Sequence, residues 1–260
     1  MNIAVRTQNL GYSYPDGTRA LKAINLSIDA GECLGLVGAA GSGKSTLAMC
    51  LLGLLMPGQG RVEVSGIELS KKNLSQVRKR IGLVFQNPDE QLFMPTVYED
   101  VAFGPAQSGL TGDELENRVK KILAQLGLEK LPDKFPGHLS GGQKKLAALA
   151  GILVMEPDTI VLDEPSANLD PANRRKLINY LRALNNSKIV IGHDLEMILD
   201  LCRRVVVLSE GVVIAEGDSV QVLSDEALMQ RACLEVPHSL LAHHKSQTLS
   251  RLSSPKPDPR

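Results

Sequence analysis

Short apolar runs alternate along the chain with longer segments in which apolar residues recur at helical spacing. Four of the runs are rich in β-branched residues and have the length of buried strands; they span 33–37, 81–85, 159–162 and 189–191. Such an alternation is typical of a parallel sheet whose strands are joined by helical crossovers. The pattern therefore predicts an α/β fold.

Two regions interrupt this alternation. Residues 3–30 and 61–66 have the pattern of antiparallel strands, with a turn at Pro15-Asp16-Gly17. Residues 95–155 contain no strand pattern and are predicted to be helical, with one helix beginning near Thr111. We interpret the first region as an antiparallel β subdomain. The second indicates an α-helical subdomain, about residues 89–156, inserted into the α/β core.

The end of the chain changes character twice. Residues 205–209 and 212–215 flank Glu210-Gly211 and predict a β-hairpin. After residue 236 the sequence becomes polar and finally rich in Ser, Pro and Lys, which predicts a disordered tail over 237–260. The folded domain is therefore expected to span 3–236.

Composition narrows the class of protein. The 29 basic and 29 acidic residues give a net charge of zero, which argues against a nucleic-acid partner. The longest apolar runs, 47–56 and 146–155, are too short to span a bilayer, and residues 1–15 lack the pattern of a secretory signal. A soluble, cytosolic protein is expected. Its cysteines are predicted to be small buried hydrophobes rather than disulfides or metal ligands: Cys33, Cys50, Cys202 and Cys233.

A glycine-rich segment matches the phosphate-binding pattern G-x-x-x-x-G-K-[ST], after a predicted strand and before an apolar helix. Its backbone N–H groups are expected to face phosphates, Lys44 to reach the β- and γ-phosphates, and Ser45 to ligate Mg²⁺. The segment consists of Gly38, Ala39, Ala40, Gly41, Ser42, Gly43, Lys44, Ser45 and Thr46.

Other candidate site residues follow the predicted strands, where α/β sheets bind ligands. Asp163 and Glu164 end the run that begins at 159; Asp163 suits Mg²⁺, and Glu164 suits a base for an attacking water. His193 follows the run 189–191 and is a candidate for contact with a γ-phosphate. Gln86, after the run 81–85, is a weaker candidate for sensing Mg²⁺ or the water.

A second glycine-rich turn, Leu139-Ser140-Gly141-Gly142-Gln143, opens another predicted helix. Backbone N–H groups at a helix N-terminus favour bound anions. This motif therefore predicts a second phosphate-binding surface. The motif by itself does not indicate which phosphate that surface binds.

Together these motifs resemble the nucleotide-binding domain of ATP-binding cassette (ABC) transporters over about residues 3–236. The resemblance implies a P-loop NTPase (RecA-like) core, ATP and Mg²⁺ as ligands, and Tyr14, rather than Tyr12, stacking on adenine. It implies a head-to-tail dimer with Asp170 in the loop at the dimer contact. In that dimer the second motif serves the partner's ATP through Ser140, Gly141, Gly142 and Gln143.

A narrower resemblance follows Gln86. Residues 86–93 (QNPDEQLF) and 96–105 (TVYEDVAFGP) are similar to energy-coupling-factor (ECF) ATPases, which energise cobalt, nickel and vitamin importers. This implies a second ATPase subunit, identical or different, and two kinds of membrane subunit, one for coupling and one for substrate. It also implies a position at the cytoplasmic face of the membrane, with cobalt or nickel as the favoured substrate.

Three alternatives stay open at this point: a vitamin importer of the ECF class, a conventional ABC transporter, and a soluble ABC ATPase of DNA repair or translation. Members of the last group usually carry a coiled-coil insertion or two fused cassettes, and the sequence shows neither. The chain departs from the family pattern at Ala40, at Gly192 and at Lys144-Lys145. Because none of these departures removes a catalytic group, an active ATPase is expected. The pair His243-His244 is expected to be solvated rather than metal-binding.

Overall fold

The computed structural model describes residues 2–241 of the chain. Its strands are bounded as follows: β1 Ile3–Ser13, β2 Arg19–Asp29, β3 Cys33–Val37, β4 Gln59–Val64, β5 Ile67–Glu68, β6 Ile81–Val84, β7 Thr159–Asp163, β8 Ser187–Ile191, β9 Arg204–Ser209 and β10 Val212–Asp218. Its α-helices are α1 Lys44–Leu51, α2 Leu74–Arg80, α3 Val97–Gln107, α4 Gly112–Gln125, α5 Gly141–Leu153, α6 Pro171–Ala183, α7 Leu195–Leu201, α8 Ser219–Leu223 and α9 Glu226–Arg231.

The central sheet has the strand order β10-β9-β3-β8-β7-β6, and only β10 pairs antiparallel. Strand β3 lies between β8 and β9, with Leu36 opposite Ile191 and Val206. Because parallel strands end at the same edge, the loops after β3, β6, β7 and β8 open onto one side of the sheet. That edge is where the sequence predicted the phosphate chemistry. The predicted α/β fold is confirmed.

A separate four-stranded sheet, in the order β2-β1-β4-β5, forms the predicted antiparallel β subdomain. Strand β7 lies between two hydrophobic cores, and its successive residues face them alternately. Ile160 and Leu162 face a core built with α3–α7, whereas Val161 faces a core shared with α1 and the antiparallel sheet. A strand that is buried on both faces has a continuous run of apolar residues, and this run is what predicted β7 from the sequence.

The inserted helices α3, α4 and α5 pack against one another. Among the described residues, the stretch 95–155 contains no strand, as predicted. Thr111 precedes α4, and the hydroxyl of Thr96 caps α3 by accepting the N–H of Glu99 at 3.2 Å. Two helix starts therefore follow the N-cap preference for Ser, Thr, Asp and Asn.

The disorder predicted for 237–260 does not begin at residue 237. Residues 238–241 are helical, and Ser239 donates from its N–H and its hydroxyl to the carboxylate of Glu196, at 3.0 and 2.7 Å. Leu240 packs against the helical core. These contacts hold Ser239 and Leu240 against the folded domain. The rest of the predicted tail, with His243-His244, lies outside the described residues.

Candidate nucleotide-hydrolysis site

The phosphate loop connects β3 to α1 and depends on glycine for steric reasons. Gly38, Gly41 and Gly43 have φ angles of 153°, 75° and 106°, a region that other residues rarely adopt. A Cβ on Gly38 would lie 2.1 Å from the carbonyl oxygen of Leu208 on the neighbouring strand β9. The loop can therefore pass this close to the sheet only with glycine at position 38.

Lys44 lies inside this loop and is 7% exposed. Its ammonium donates to the carbonyl oxygens of Gly38 and Ala39, at 2.7 and 2.8 Å. Burial lowers the pKa of Lys44, and the carboxylates of Glu164 and Asp163 oppose that shift. A buried cation enclosed by backbone is suited to bind phosphate, and this role of Lys44 stays a prediction.

A cleft of about 580 Å³ opens beside the loop. Tyr14 lines it, and its hydroxyl lies 3.0 Å from that of Thr46, while Tyr12 stacks edge-on against Tyr14 at 5.1 Å. Several further residues, to which no sequence motif assigned a role at the site, line the cleft with them: Thr18, Arg19, Ala20, Lys22, Glu210 and Gly211.

The hairpin tip at Gly211 contacts the phosphate loop directly. The N–H of Gly211 donates to the carbonyl of Ser42 at 3.0 Å, and the carbonyl of Gly211 accepts the N–H of Lys22 at 2.8 Å. The hairpin itself was predicted, but its position against the loop was not. The only local signal was the Glu-Gly pair at the turn, where both residues have positive φ and only the glycine adopts it readily.

Asp163 lies at the end of β7, across from the phosphate loop. Burial raises the pKa of Asp163, and the nearby side chain of Ser45 and the charge of Lys44 oppose that shift. A hydroxyl and a carboxylate side by side are the oxygen ligands that Mg²⁺ prefers, so both predicted ligands fit this ion.

The next residue, Glu164, contacts His193. One carboxylate oxygen of Glu164 accepts the N–H of His193 at 3.2 Å, and the other lies 3.4 Å from Nε2 of His193. A Cβ on Gly192 would come within 3.3 Å of the same carboxylate. The glycine at this position therefore leaves room for the carboxylate against the backbone of His193.

Gln86 follows β6 and is exposed. Among residues 2–241, its side chain forms no hydrogen bond to Ser45, Asp163 or Glu164. The structure thus brings the phosphate loop, Asp163, Glu164 and His193 together, and it leaves Gln86 at the same edge without a contact to them.

The motif Leu139–Gln143 lies apart from this cleft, and none of its residues lines it. Ser140 caps α5 by accepting the N–H of Gln143 at 3.3 Å, and Gln143 returns the contact by accepting the N–H of Ser140 at 3.0 Å. Gly142 is buried against Asn173 of α6, whose N–H is capped by Asp170 at 2.9 Å. The predicted second phosphate-binding surface is therefore separate from the cleft, and its binding of phosphate stays a prediction.

A family model described as "ABC transporter" matches residues 21–167, a stretch that contains the phosphate loop, Leu139–Gln143 and Asp163-Glu164. The chain belongs to the ABC transporter family. This family's cassettes bind and hydrolyse ATP, and they act as dimers together with membrane subunits. Within residues 2–241, no helix combines the length and the apolar character needed to cross a bilayer.

Individual relatives refine this assignment. The energy-coupling factor transporter ATP-binding protein EcfA of Methanothermobacter thermautotrophicus is 45% identical over 240 residues, which cover 90% of this chain and 77% of that protein. The structure of cbiO1 from Clostridium perfringens, part of the ABC transporter complex cbiONQ, is 38% identical and superposes with a TM-score of 0.80 over 94% of this chain and all of cbiO1.

A third relative is an ATP-binding cassette whose dimeric structure represents a post-hydrolysis state bound to ADP and Pi. It is 29% identical and superposes with a TM-score of 0.74 over 83% of this chain and 98% of its own. The predicted resemblance to ABC ATPases, including the ECF branch, is thus confirmed by a family model, by a curated relative and by solved structures.

Proposed function

We propose that this chain is an ATPase subunit of an ECF importer, that it works as one of a pair of cassettes at the cytoplasmic face of the membrane, and that cobalt or nickel is the cargo. The observation that carries the proposal is the exposed aromatic pair of the segment 86–105. Phe93 is 65% exposed and stacks edge-on against Phe103 at 5.1 Å. An exposed apolar pair beside a nucleotide site is suited to receive a membrane subunit.

Two side chains connect this segment to the rest of the cassette. Gln91 accepts the N–H of Phe85, the residue before Gln86, at 3.3 Å, and it donates to the carbonyl of Ala148 in α5 at 2.7 Å. Lys144 of α5 forms an ion pair with Asp89 at 2.7 Å. The surface that would meet a membrane subunit is therefore tied to the loop that holds Gln86 and to the helix that begins at Ser140.

The residues of the site divide the hydrolytic work in the following way. Lys44 and the N–H groups of the loop hold the β- and γ-phosphates. Ser45 and Asp163, with Gln86 at the same edge of the sheet, would hold Mg²⁺, which would neutralise phosphate charge. Glu164 accepts a proton from the attacking water. His193 holds the γ-phosphate, and Ser140 binds the nucleotide of the partner cassette.

Glu164→Gln tests this division. The variant should bind ATP as the wild type does, because the phosphate loop is unchanged, but turnover should fall by about 100-fold or more since the general base is lost. Equilibrium ATP binding and steady-state phosphate release measure these two effects, and size-exclusion chromatography with ATP should show a closed dimer accumulating. Turnover within a few-fold of the wild type would contradict the assignment of Glu164 as the base.

Uptake of radiolabelled cobalt, nickel or a vitamin by cells that lack the gene identifies the cargo. Loss of cobalt or nickel uptake, restored by the wild-type gene and not by the Glu164→Gln gene, supports the proposal. Loss of vitamin uptake instead assigns the chain to the vitamin importers of the ECF class, an alternative that the sequence left open. Unchanged uptake of all three, with co-purification of a different membrane partner, would indicate a conventional ABC transporter.

A further inference from the structure

The helix that begins at Ser140 contains a buried lysine that no step of the proposed mechanism uses. Lys145 lies in the second turn of α5 and is 6% exposed. Its ammonium donates to the backbone carbonyl oxygen of Glu164 at 2.8 Å. Placing an ammonium group in a protein interior is costly unless it finds an acceptor, so this contact must determine where the side chain lies.

The carbonyl that Lys145 contacts belongs to an unusual backbone conformation. Glu164 has a φ angle of +46°, in the left-handed region that non-glycine residues seldom adopt. Hydrogen bonds fix it on both sides: its N–H donates to Ile191 at 2.9 Å, and its carbonyl also accepts the N–H of Ala167 at 3.1 Å. A non-glycine residue keeps such a conformation only where surrounding contacts enforce it.

The direction of the Glu164 side chain depends on this conformation. The carboxylate lies against His193 and is 14% exposed, and a rotation of the backbone at Glu164 would move it away from the γ-phosphate position. Burial lowers the pKa of Lys145, and the carboxylates of Glu164 and Asp163 oppose that shift, which places the ammonium within the electrostatic reach of the site.

We propose that Lys145 is a positioning residue for ATP hydrolysis: its ammonium holds the backbone carbonyl of Glu164, and so aims the carboxylate of the base at the attacking water. This inference rests on the proposed role of Glu164 as the base. It also links the helix that serves the partner's ATP to the base of the chain's own site, because Ser140 and Lys145 belong to the same rigid helix α5.

Lys145→Met tests the proposal, since methionine retains much of the apolar stem and removes the donor. The kcat for ATP should fall by about 10- to 100-fold, while KM stays within about twofold, because ATP binding does not involve Glu164. Lys145→Arg, which keeps a buried cationic donor, should recover most of the loss. Hydrogen–deuterium exchange of residues 163–168 in nucleotide-free protein should become faster in Lys145→Met.

Lys188→Met is the matched control. Lys188 is 5% exposed at the opposite end of the sheet, and its ammonium also caps backbone carbonyls, those of Leu184 and Asn186, both at 2.7 Å. Its loss should lower stability as the loss of Lys145 does, but it should change neither kcat nor exchange at 163–168. If Lys188→Met lowers kcat as much as Lys145→Met, the effect is general destabilisation and the proposal is overturned.

A double variant separates positioning from other roles. If Lys145 acts through the carboxylate of Glu164, then adding Lys145→Met to Glu164→Gln should lower the residual rate by no more than about twofold. Two results would overturn the positioning role of Lys145 and leave Glu164 as the base. In the first, the double variant is slower than Glu164→Gln by the same factor that Lys145→Met loses alone. In the second, Lys145→Met has the wild-type kcat while Glu164→Gln is slow. A wild-type rate in Glu164→Gln overturns the assignment of the base, and with it the target of Lys145.

Discussion

At the scale of single residues, the glycines of the phosphate loop differ in their surroundings. A Cβ on Gly38 would meet the backbone of Leu208 at 2.1 Å, whereas a Cβ on Gly41 would have no atom within 4 Å. Both residues have positive φ angles. At position 41 glycine is therefore required only because the backbone has a positive φ angle. At position 38 it is required for the same reason and also because a side chain would collide with Leu208.

Replacing each glycine by alanine should separate these two costs. Gly41→Ala should lower the free energy of unfolding by about 1–2 kcal/mol, the cost of a left-handed residue. Gly38→Ala should lower it by at least about 3 kcal/mol, because β3 would have to move away from β9. Urea unfolding of the nucleotide-free proteins measures both values. Equal losses in the two variants would show that the contact with Leu208 is not limiting.

The positions of the candidate site residues could be predicted because the proposed chemistry restricts the residue type. Lys44, Asp163, Glu164 and His193 lie where the sequence put them, at one edge of the sheet. Lys145 appeared in the sequence only as a departure from a family pattern. Its contact with Glu164 joins residues that are distant in the chain and lie on different elements, and no local pattern encodes such a contact.

At the scale of elements, α6 and α7 are joined by a half-buried ion pair. Arg174 donates to both carboxylate oxygens of Asp194, at 2.6 and 2.7 Å, and Asp194 also caps α7 by accepting the N–H of Met197 at 3.0 Å. Burial alone would raise the pKa of Asp194, but the hydrogen bonds from Arg174 and Met197 outweigh it and lower that pKa. The pair fixes the start of the helix that follows His193.

Asp194→Asn should lower the free energy of unfolding by about 1–3 kcal/mol at pH 7, because asparagine can cap the helix but cannot pair with Arg174. Since the folded pKa of Asp194 lies below its ordinary value of about 3.9, its contribution is complete above that value and disappears as the pH falls through the folded pKa. Thermal unfolding between pH 7 and pH 3 should therefore show the wild type and the variant converging only in acid.

The exposed pair of Arg175 and Asp200, at 3.0 Å, is the control for that measurement. Because solvent screens it, Asp200→Asn should change stability by no more than about 1 kcal/mol at any pH. A difference between wild type and Asp194→Asn that persists unchanged at pH 3 would contradict the role assigned to the carboxylate of Asp194.

The elements themselves could largely be predicted, and their ends could not. Strand β6 ends at Val84 rather than Phe85, because the N–H of Phe85 turns away to the side chain of Gln91. Strand β8 begins at Ser187, before the apolar run, because the N–H of Ser187 donates to Asp158 in the adjacent segment. In both cases a contact from outside the segment determines where the strand stops or starts.

At the scale of the whole molecule, the cleft beside the phosphate loop and the motif Leu139–Gln143 lie on separate surfaces of the chain. Lys44 lines the cleft, and Ser140 begins α5 outside it. The order of the strands and the separation of these surfaces depend on the packing of both sheets, which no single segment encodes. The separation is what a shared site between two cassettes requires.

Mixing two inactive variants tests the shared site. Lys44→Ala and Ser140→Arg should each abolish turnover, since the first removes the phosphate ligand and the second blocks the partner's nucleotide. In a mixed dimer one site combines an intact Lys44 with an intact Ser140. A random mixture should therefore recover about one quarter of the wild-type rate. No recovery in mixtures that contain mixed dimers by native mass spectrometry would contradict sharing between copies of this chain.

The position of β3 also constrains the order of events during synthesis. This strand leads into the phosphate loop, yet its neighbours in the sheet are β8 and β9, and the loop is further held by Gly211. All of the chain from Val37 to Ser187 must leave the ribosome before either neighbour exists. The loop is thus synthesised well before it can reach its final shape, so nucleotide can stabilise the nascent chain only after β8 and β9 have been translated.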